Sequence, residues 1–304
     1  MNRPVVISNI GCFAAMAFWA ISFPAVEVLL DTWGALSLIA ARMTVGVIGL
    51  GIVWVAIEGM GRVRAAPWRP GLFIGALGFG AGASLLLLGQ KLSDPVTTAV
   101  VAAMTPVAGA LLEFLLDGRR PTAFLVGGVV LAMIGGLIAT GPRLVEAQVG
   151  LGALICLASV FVYAWGTRAT SDRLADVSSL ARTTITSVGA SVFCLTAFSL
   201  SRFLDLGEAE IGDYGAREIW LFLFYAIAGF ALAQLLWLWG AARLGILLAS
   251  LHVNAVPFYV MIVVVIAFGE PWSWGQAIGA SLVAAGVLLA QTKGDGFRRR
   301  AAPR

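Results

Sequence analysis

The chain alternates between long apolar stretches and short polar linkers along its whole length. A helix needs about 20 predominantly apolar residues to cross the hydrocarbon core of a bilayer. Two stretches of that length, 32–57 and 177–201, each contain a single arginine, Arg42 and Arg182. Eight more contain no charged side chain and cover 4–26, 70–90, 95–112, 121–142, 147–167, 219–242, 244–269 and 271–292. The pattern predicts an all-α integral membrane protein with ten transmembrane helices.

Lysine and arginine fall mainly on one side of this predicted topology. Cytoplasmic loops of membrane proteins carry an excess of these two residues. With the N-terminus inside, 14 of the 20 lysines and arginines lie in cytoplasmic segments, four lie outside and two lie within spans. The exterior linker 203–218 is instead acidic. We therefore expect a multi-pass protein of the cell (inner) membrane with both termini in the cytoplasm and a basic cytoplasmic tail at 293–304.

The two halves of the chain resemble each other at a fixed offset of 151 residues. Arg42 and Arg182 each lie in the second span of a half. Because five spans is an odd number, the second half enters the membrane inverted, a plan known from secondary transporters that hold substrate between their repeats. We predict two inverted five-helix repeats, 1–142 and 147–292. The matched pairs are Gly78-Phe79 with Gly229-Phe230, Gly89 with Gly240, Pro106 with Pro257, Gly118 with Gly269, Gly128 with Gly279 and Gly135 with Gly286.

Composition agrees with a membrane protein and excludes other classes. Hydrophobic residues make up 60% of the chain and charged residues 12%, against roughly 45–50% and 25% in soluble proteins. The net charge of +4 follows from the topology, so we expect no nucleic-acid partner. Cys12, Cys156 and Cys194 lie far apart in apolar runs, which predicts packing residues and no metal site. No phosphate-binding loop is present, so we expect neither ATP hydrolysis nor a cofactor.

Two stretches resemble a known transporter family. Phe18-Trp19-Ala20-Ile21-Ser22-Phe23, and Gly269-Glu270-Pro271 before a glycine-spaced last helix, resemble the EamA family of the drug/metabolite transporter superfamily. The resemblance covers nearly the whole chain. It implies a ten-helix carrier that moves small metabolites outward by alternating access, and it is most similar to exporters of aromatic amino acids. The first half departs from the Gly-Glu-Pro pattern, with Gly118-Arg119-Arg120-Pro121 at the corresponding turn.

Polar and aromatic side chains inside the spans are the candidates for lining a solute path. A polar group inside a bilayer is costly in free energy and therefore usually has a structural or functional role. His252 is the only histidine and shares a helix face with Tyr259. At the 151-residue offset, Thr98 of the first half falls on the helix face that corresponds to the one with His252 and Tyr259. The same offset matches the helix face that carries Phe79 and Gln90 with a helix face of the second half. For His252 the alternative is a hydrogen bond that fixes it to a neighbouring helix. The predicted substrate-binding residues are Trp19, Phe23, Phe79, Gln90, Thr98, Tyr163, Gln234, Trp237, His252 and Tyr259.

Mechanism and class leave some alternatives open. Pro24, Pro106 and Pro257 interrupt helix hydrogen bonds and are predicted hinges, with static kinks as the alternative. Downhill facilitation is favoured over proton antiport, and a chain with its own central cavity can work as a monomer. The rival substrate class is lipophilic cations. A remote rival is an intramembrane serine protease using Ser84 and His252, but the repeat has no role in that interpretation, so we expect no enzyme.

Overall fold

The structure, a computed structural model, describes residues 3–117, 123–140, 147–213, 215–244 and 252–291. Within these ranges all regular secondary structure is helical. A short helix, Met60–Ala65, lies between α2 and α3. The other helices are α1 (Arg3–Leu30), α2 (Ala35–Glu58), α3 (Trp68–Leu92), α4 (Pro95–Ala102), α5 (Thr105–Asp117), α6 (Ala123–Thr140), α7 (Ala147–Arg173), α8 (Ser179–Phe203), α9 (Ala216–Gly240, with a last turn to Leu244), α10 (Val256–Phe268) and α11 (Trp274–Gln291).

Six helices in the described ranges are long and apolar enough to cross a bilayer: α1, α2, α3, α7, α8 and α9. The bent pair of α4 and α5, whose axes differ by 43°, makes a seventh if it counts as one span. The other predicted spans coincide with shorter apolar helices, Val126–Ala139, Val256–Phe268 and Trp274–Leu289. The prediction of an all-helical protein with several membrane-spanning helices is confirmed, while ten spans, the inverted repeat and the orientation of the termini stay predictions.

Large apolar side chains cover the outer surface of the helices. Ile48 and Ile52 of α2 are 58% and 65% exposed, and Leu154 of α7 is 65% exposed. Soluble monomers rarely expose contiguous apolar patches larger than a few hundred Å². Lipid chains cover such a surface without the free-energy cost of exposing it to water.

Small residues bring α3 against α7, and α1 against α9, in two similar contacts. Gly89 of α3 packs on Cys156 of α7, and a Cβ added at Gly89 would lie 2.9 Å from the Cys156 backbone nitrogen. Gly240 of α9 packs on Cys12 of α1 in the same way. Both cysteines are fully buried and free, and they have the packing role that the sequence predicts.

Helices α6 and α11 pack closely through glycine. A Cβ on Gly135 of α6 would lie 2.6 Å from the Gly279 carbonyl oxygen, and one on Gly286 of α11 would lie 2.6 Å from the Gly128 carbonyl oxygen. Lipid removes the hydrophobic drive for helix association, so close backbone packing through small residues has to supply it.

Two helices depart from regular α-helical geometry at corresponding places. Gly75–Gly80 in α3 and Phe224–Leu232 in α9 are π-helical. Such wide turns are uncommon and often lie at functional sites. One face of each segment packs inside the bundle: Gly75 packs against the Thr186 backbone of α8, and Gly229 packs against Ser22 of α1.

The predicted hinge prolines occupy two kinds of position. Pro106 and Pro257 are each the second residue of a helix, where a missing N–H group leaves no helical bond unmade. Pro24 lies inside α1 and does remove a helical hydrogen bond. Hinge motion stays a prediction for all three. The Pro106 side chain, the turn 118–121 and the tail 293–304 lie outside the described part of the structure.

The linker between α8 and α9 is tied to the start of α2. The Glu208 carboxylate accepts a hydrogen bond from the Ala35 backbone N–H at 3.1 Å and pairs with Lys91 Nζ at 2.9 Å. The backbone carbonyls of Glu208 and Glu210 accept from Leu36 and Gly34 N–H at 3.0 and 2.9 Å. The linker thus satisfies the free N–H groups at the start of α2.

The glycine contact between α6 and α11 predicts a difference between two adjacent residues. We expect Gly135→Ala to lower the thermal unfolding temperature of the purified protein in detergent, because its new methyl group overlaps the Gly279 backbone. Overpacking of this kind costs about 1–3 kcal/mol. Gly136→Ala is the matched control, since a Cβ there meets no atom within 4 Å. Equal unfolding temperatures for the two variants would contradict the close contact.

Candidate functional site

A narrow cavity lies between α1, α2, α3, α7 and α9. Its volume is about 30 Å³, which is room for about two water molecules. Aromatic, aliphatic and charged groups all contribute to its wall, and the side chains that define its chemistry are Trp19, Phe23, Arg42, Gln90, Tyr163 and Tyr225.

Four of the ten predicted path residues line this cavity: Trp19, Phe23, Gln90 and Tyr163. Trp19 and Phe23 are four residues apart, so they share one face of α1, and their ring centroids lie 5.5 Å apart. Phe79 lies behind Tyr163 with its ring centroid at 5.9 Å. These aromatic side chains form two ring pairs, one on α1 and one between α3 and α7.

Thr98 is fully buried on α4 and faces α7. Its hydroxyl donates to the Asp94 carbonyl at 2.9 Å and lies 3.8 Å from Cys156 Sγ. These contacts bond Thr98 within its own helix and to α7, outside the lining of the cavity.

Four other predicted path residues also lie outside the lining: Gln234, Trp237, His252 and Tyr259. Trp237 and Tyr259 pack against an apolar cluster shared by α1, α4, α6, α10 and α11. The Tyr259 ring contacts Phe13 at a centroid distance of 5.4 Å. His252 Nε2 lies 3.2 Å from Asn9 Oδ1 of α1. This contact fits the alternative interpretation, in which a hydrogen bond fixes His252 to a neighbouring helix. Their place along a solute path stays a prediction.

Arg42 is the charged residue in the cavity wall, and two aromatic rings hold it. Its guanidinium carbon lies 4.2 Å from the Tyr225 ring centroid and 5.1 Å from that of Phe230. Nη2 donates to the Gly229 carbonyl at 3.2 Å, and Nη1 lies 3.4 Å from the Tyr225 hydroxyl. Nε is buried and has no hydrogen-bond partner among the described residues.

The local sequence explains how the rings reach Arg42. Gly46 is one helical turn after Arg42 on the same face of α2, and the Phe230 ring occupies the space where a Gly46 side chain would lie. Gly229 belongs to the π-helical segment, and a Cβ there would lie 2.7 Å from Ser22 of α1. Two glycines therefore let α1, α2 and α9 converge around one guanidinium.

The aromatic rings stabilise Arg42 more than the contact with the Tyr225 hydroxyl does. A cation over an aromatic face is worth about 2 kcal/mol or more when it is desolvated. The Tyr225 hydroxyl contact at 3.4 Å is longer than the usual range of about 2.7–3.2 Å and is weak. Within the described part of the chain, no carboxylate pairs with Arg42. The guanidinium is therefore not neutralised by a carboxylate among these residues, and its Nε has no hydrogen-bond partner there.

Gln90 and Glu27 form a second polar group at the cavity. Gln90 is 3% exposed, and its amide donates to the Phe23 carbonyl at 2.9 Å and to Glu27 Oε2 at 3.4 Å. An amide buried at this depth needs such partners.

The two residues of the protease alternative have other partners. Ser84 donates to the Gly80 carbonyl at 3.0 Å and lies 3.6 Å from Cys194 Sγ. His252 lies beside Asn9 near the amino-terminal end of α1. In the described ranges no hydrogen bond joins Ser84 to His252, as nucleophilic catalysis requires.

Sequence reasoning did not place Arg42, Tyr225 and Ser22 in the site. The available signal was Arg42 itself, the one charge in the stretch 32–57, because a charge inside a span marks a functional site by default. The partners Tyr225 and Phe230 lie more than 180 positions away in the chain, and only the fold brings them to it.

Comparison with known sequences identifies the class. Residues 6–141 and 150–292 match the EamA-like transporter family. The chain belongs to this family, whose members are transporters, and it is a multi-pass membrane protein.

The relatives agree with this class. A probable terminal-alkyne amino-acid exporter of Streptantibioticus cattleyicolor is 27% identical over 93% of this chain and 93% of its own length. An uncharacterised transporter of Bacillus subtilis, YyaM, is 30% identical over 71% of this chain and 70% of its own. One solved crystal structure has a TM-score of 0.67 and 20% identity, covering 94% of this chain and 96% of its own. That last match is a likeness of fold.

The contacts of Arg42 predict unequal effects for two substitutions of Tyr225. Tyr225→Phe keeps the ring and loses only the weak hydroxyl contact, so we expect its thermal unfolding temperature to stay near that of the wild type. Tyr225→Leu removes the cation–π contact, and we expect a clear decrease, corresponding to about 1–2 kcal/mol. Thermal unfolding in detergent measures both. A larger loss in Tyr225→Phe would show that the hydroxyl holds Arg42.

Proposed function

We propose that the protein is a secondary carrier that moves amino acids, aromatic ones foremost, out of the cytoplasm through the cavity around Arg42. The observation that carries the proposal is a guanidinium with no carboxylate partner among the described residues, in the wall of a cavity lined by aromatic and aliphatic side chains between membrane-spanning helices. A solute carboxylate is the natural partner of such a group, because charge-assisted hydrogen bonds to arginine are strong and bidentate.

Pairs of corresponding contacts support two inverted halves, 1–142 and 147–292. Gly89 packs on Cys156 as Gly240 packs on Cys12, and the π-helical segments of α3 and α9 occupy matching places. The family profile covers one half and then the other. In this proposal each half has five spans, both termini lie in the cytoplasm, and the cavity forms where the halves meet.

The chemistry of the cavity favours amino acids over lipophilic cations. A fixed guanidinium repels a cationic solute that carries no carboxylate, and an aromatic cage for such a cation has to be free to bind it. Here Tyr225 and Phe230 already hold Arg42. The relative from Streptantibioticus is named for an amino-acid substrate, which agrees with this choice.

Transport requires the cavity to widen. Its volume of about 30 Å³ is far below the roughly 300 Å³ or more of typical ligand pockets. In the proposed cycle the halves rock about the glycine contacts, with Pro24, Pro106 and Pro257 as hinges and the remaining predicted residues, His252 among them, further along the path. The solute moves down its own gradient in this scheme, as a monomer and without a cofactor.

Uptake of labelled phenylalanine into proteoliposomes tests the proposal. We expect saturable uptake by the wild type that does not depend on an imposed pH gradient. Arg42→Gln removes a charge-assisted hydrogen bond worth about 1.5–3 kcal/mol, so we expect uptake at low substrate to decrease by about tenfold or more. His252→Ala should lower uptake if the path runs past the amino-terminal end of α1.

Arg202→Gln is the matched control, because Arg202 lies exposed at the end of α8 and should not affect uptake. Wild-type protein that moves a lipophilic cation but no amino acid would contradict the substrate. Equal uptake by Arg42→Gln and the wild type would contradict the role of Arg42.

A further inference from the structure

Glu27 lies one helical turn beyond Phe23 on the face of α1 that lines the cavity. Residues four apart share a helix face, so Trp19, Phe23 and Glu27 form one stripe. Gln90, itself part of the cavity wall, donates a hydrogen bond to Glu27 Oε2 at 3.4 Å. The Glu27 carboxylate is therefore one hydrogen bond from the cavity wall.

Glu27 has no basic partner in the described ranges. Lys91 follows Gln90 in the sequence, but it pairs with Glu208 at 2.9 Å. The charged groups whose fields act on Glu27 are Asp31, Asp94 and Glu270, and all three are acidic. Because a carboxylate within a membrane-spanning helix is costly to leave uncompensated, this end of the cavity favours a cation.

Arg42 supplies the opposite charge at the other end of the cavity. It bonds to the Gly229 carbonyl, and Gly229 packs against Ser22 of α1. Glu27 lies five residues after Ser22, a rise of about 7.5 Å along the helix. An α-amino acid has about 2.5 Å between its ammonium nitrogen and carboxyl carbon, and with a charged hydrogen bond at each end it spans about 8 Å. This rise along α1 is close to the length of such a molecule.

We propose that Glu27, positioned by Gln90, binds the α-ammonium group of the solute while Arg42 binds its carboxylate. The cavity then selects zwitterionic α-amino acids over amines and over carboxylic acids that carry the same side chain. Trp19, Phe23 and Tyr163 in the cavity wall receive the flat apolar side chain of the solute. This inference rests on the proposed function, since it assigns the second pole of the same site.

The test compares phenylalanine with two molecules that each lack one of its charges, 3-phenylpropionate and phenethylamine. Each competes, unlabelled, with labelled phenylalanine for uptake into proteoliposomes, and each is added to purified protein in a thermal-unfolding assay of binding. We expect the wild type to prefer phenylalanine over both. In Glu27→Gln the preference over 3-phenylpropionate should decrease by about tenfold or more. In Arg42→Gln the preference over phenethylamine should decrease instead.

Two further variants keep the result specific. Asp205→Asn removes an acidic charge from the linker after α8, where Asp205 is exposed and has a φ of 52° that Asn tolerates; its preferences should equal those of the wild type. Glu27→Asp keeps the charge and should keep most of the preference. If Glu27→Gln does not unfold cooperatively, Gln90→Leu takes its place, because it removes the hydrogen bond that positions Glu27. We expect it to decrease the preference over 3-phenylpropionate by a smaller factor.

The outcomes separate this inference from the proposed function. An unchanged preference in Glu27→Gln, or in folded Gln90→Leu where that variant is used, with normal phenylalanine uptake by the wild type, overturns the ammonium site and leaves the carrier standing. Wild-type protein that neither takes up nor binds phenylalanine overturns the proposed substrate and the ammonium site together.

Discussion

The bilayer interior offers no water to a charged side chain, and Arg42 has to be held there by the protein alone. Its partners are two ring faces and one backbone carbonyl, all from α9. Much of the surrounding structure serves this arrangement. Gly46 leaves room for the Phe230 ring, Gly229 lets α1 approach α9, and the π-helical turn presents the carbonyl. A neutral ion pair would have been a simpler way to hold the charge, but it would have left nothing for a solute to bind.

The proposed site follows from what this arrangement leaves unsatisfied. An arginine that is held without being neutralised attracts an anion, and Glu27, bonded only to the neutral Gln90 amide, attracts a cation. The rest of the cavity wall is mainly aromatic and aliphatic. Affinity for such a solute comes from charge at both ends and from apolar contact in the middle. Selectivity comes mainly from the charges, because a buried polar group left unpaired costs more than a lost apolar contact.

Much of the fold was readable from the sequence, because lipid imposes simple rules. Apolar length predicted where helices run. The pattern could not show that the span 95–112 bends between α4 and α5 or that α3 and α9 contain π-helical turns. These features change hydrogen bonding without changing hydropathy, so they leave no periodic signal.

The site was only partly readable. Trp19, Phe23, Gln90 and Tyr163 line the cavity and were among the predicted residues, because aromatic and amide groups stand out in apolar helices. Helix faces alone could not tell these from Thr98 or Trp237, which face neighbouring helices, because rotation about the helix axis is fixed by packing. Arg42 stood out as a charge, but its meaning depended on Tyr225 and Phe230, which only the tertiary structure supplies.

The Gly229 carbonyl differs from the other partners of Arg42 because it belongs to the backbone. Most substitutions at neighbouring positions of the π-helical segment leave that acceptor in place, provided that the wide turn itself persists. Sequences related to this one can therefore diverge along Phe224–Leu232, outside Tyr225, Gly229 and Phe230, and still present this acceptor to an arginine at the same depth. At these other positions the feature that matters is the backbone geometry of the wide turn. A comparison of residue identities alone would underestimate how strongly that geometry is conserved.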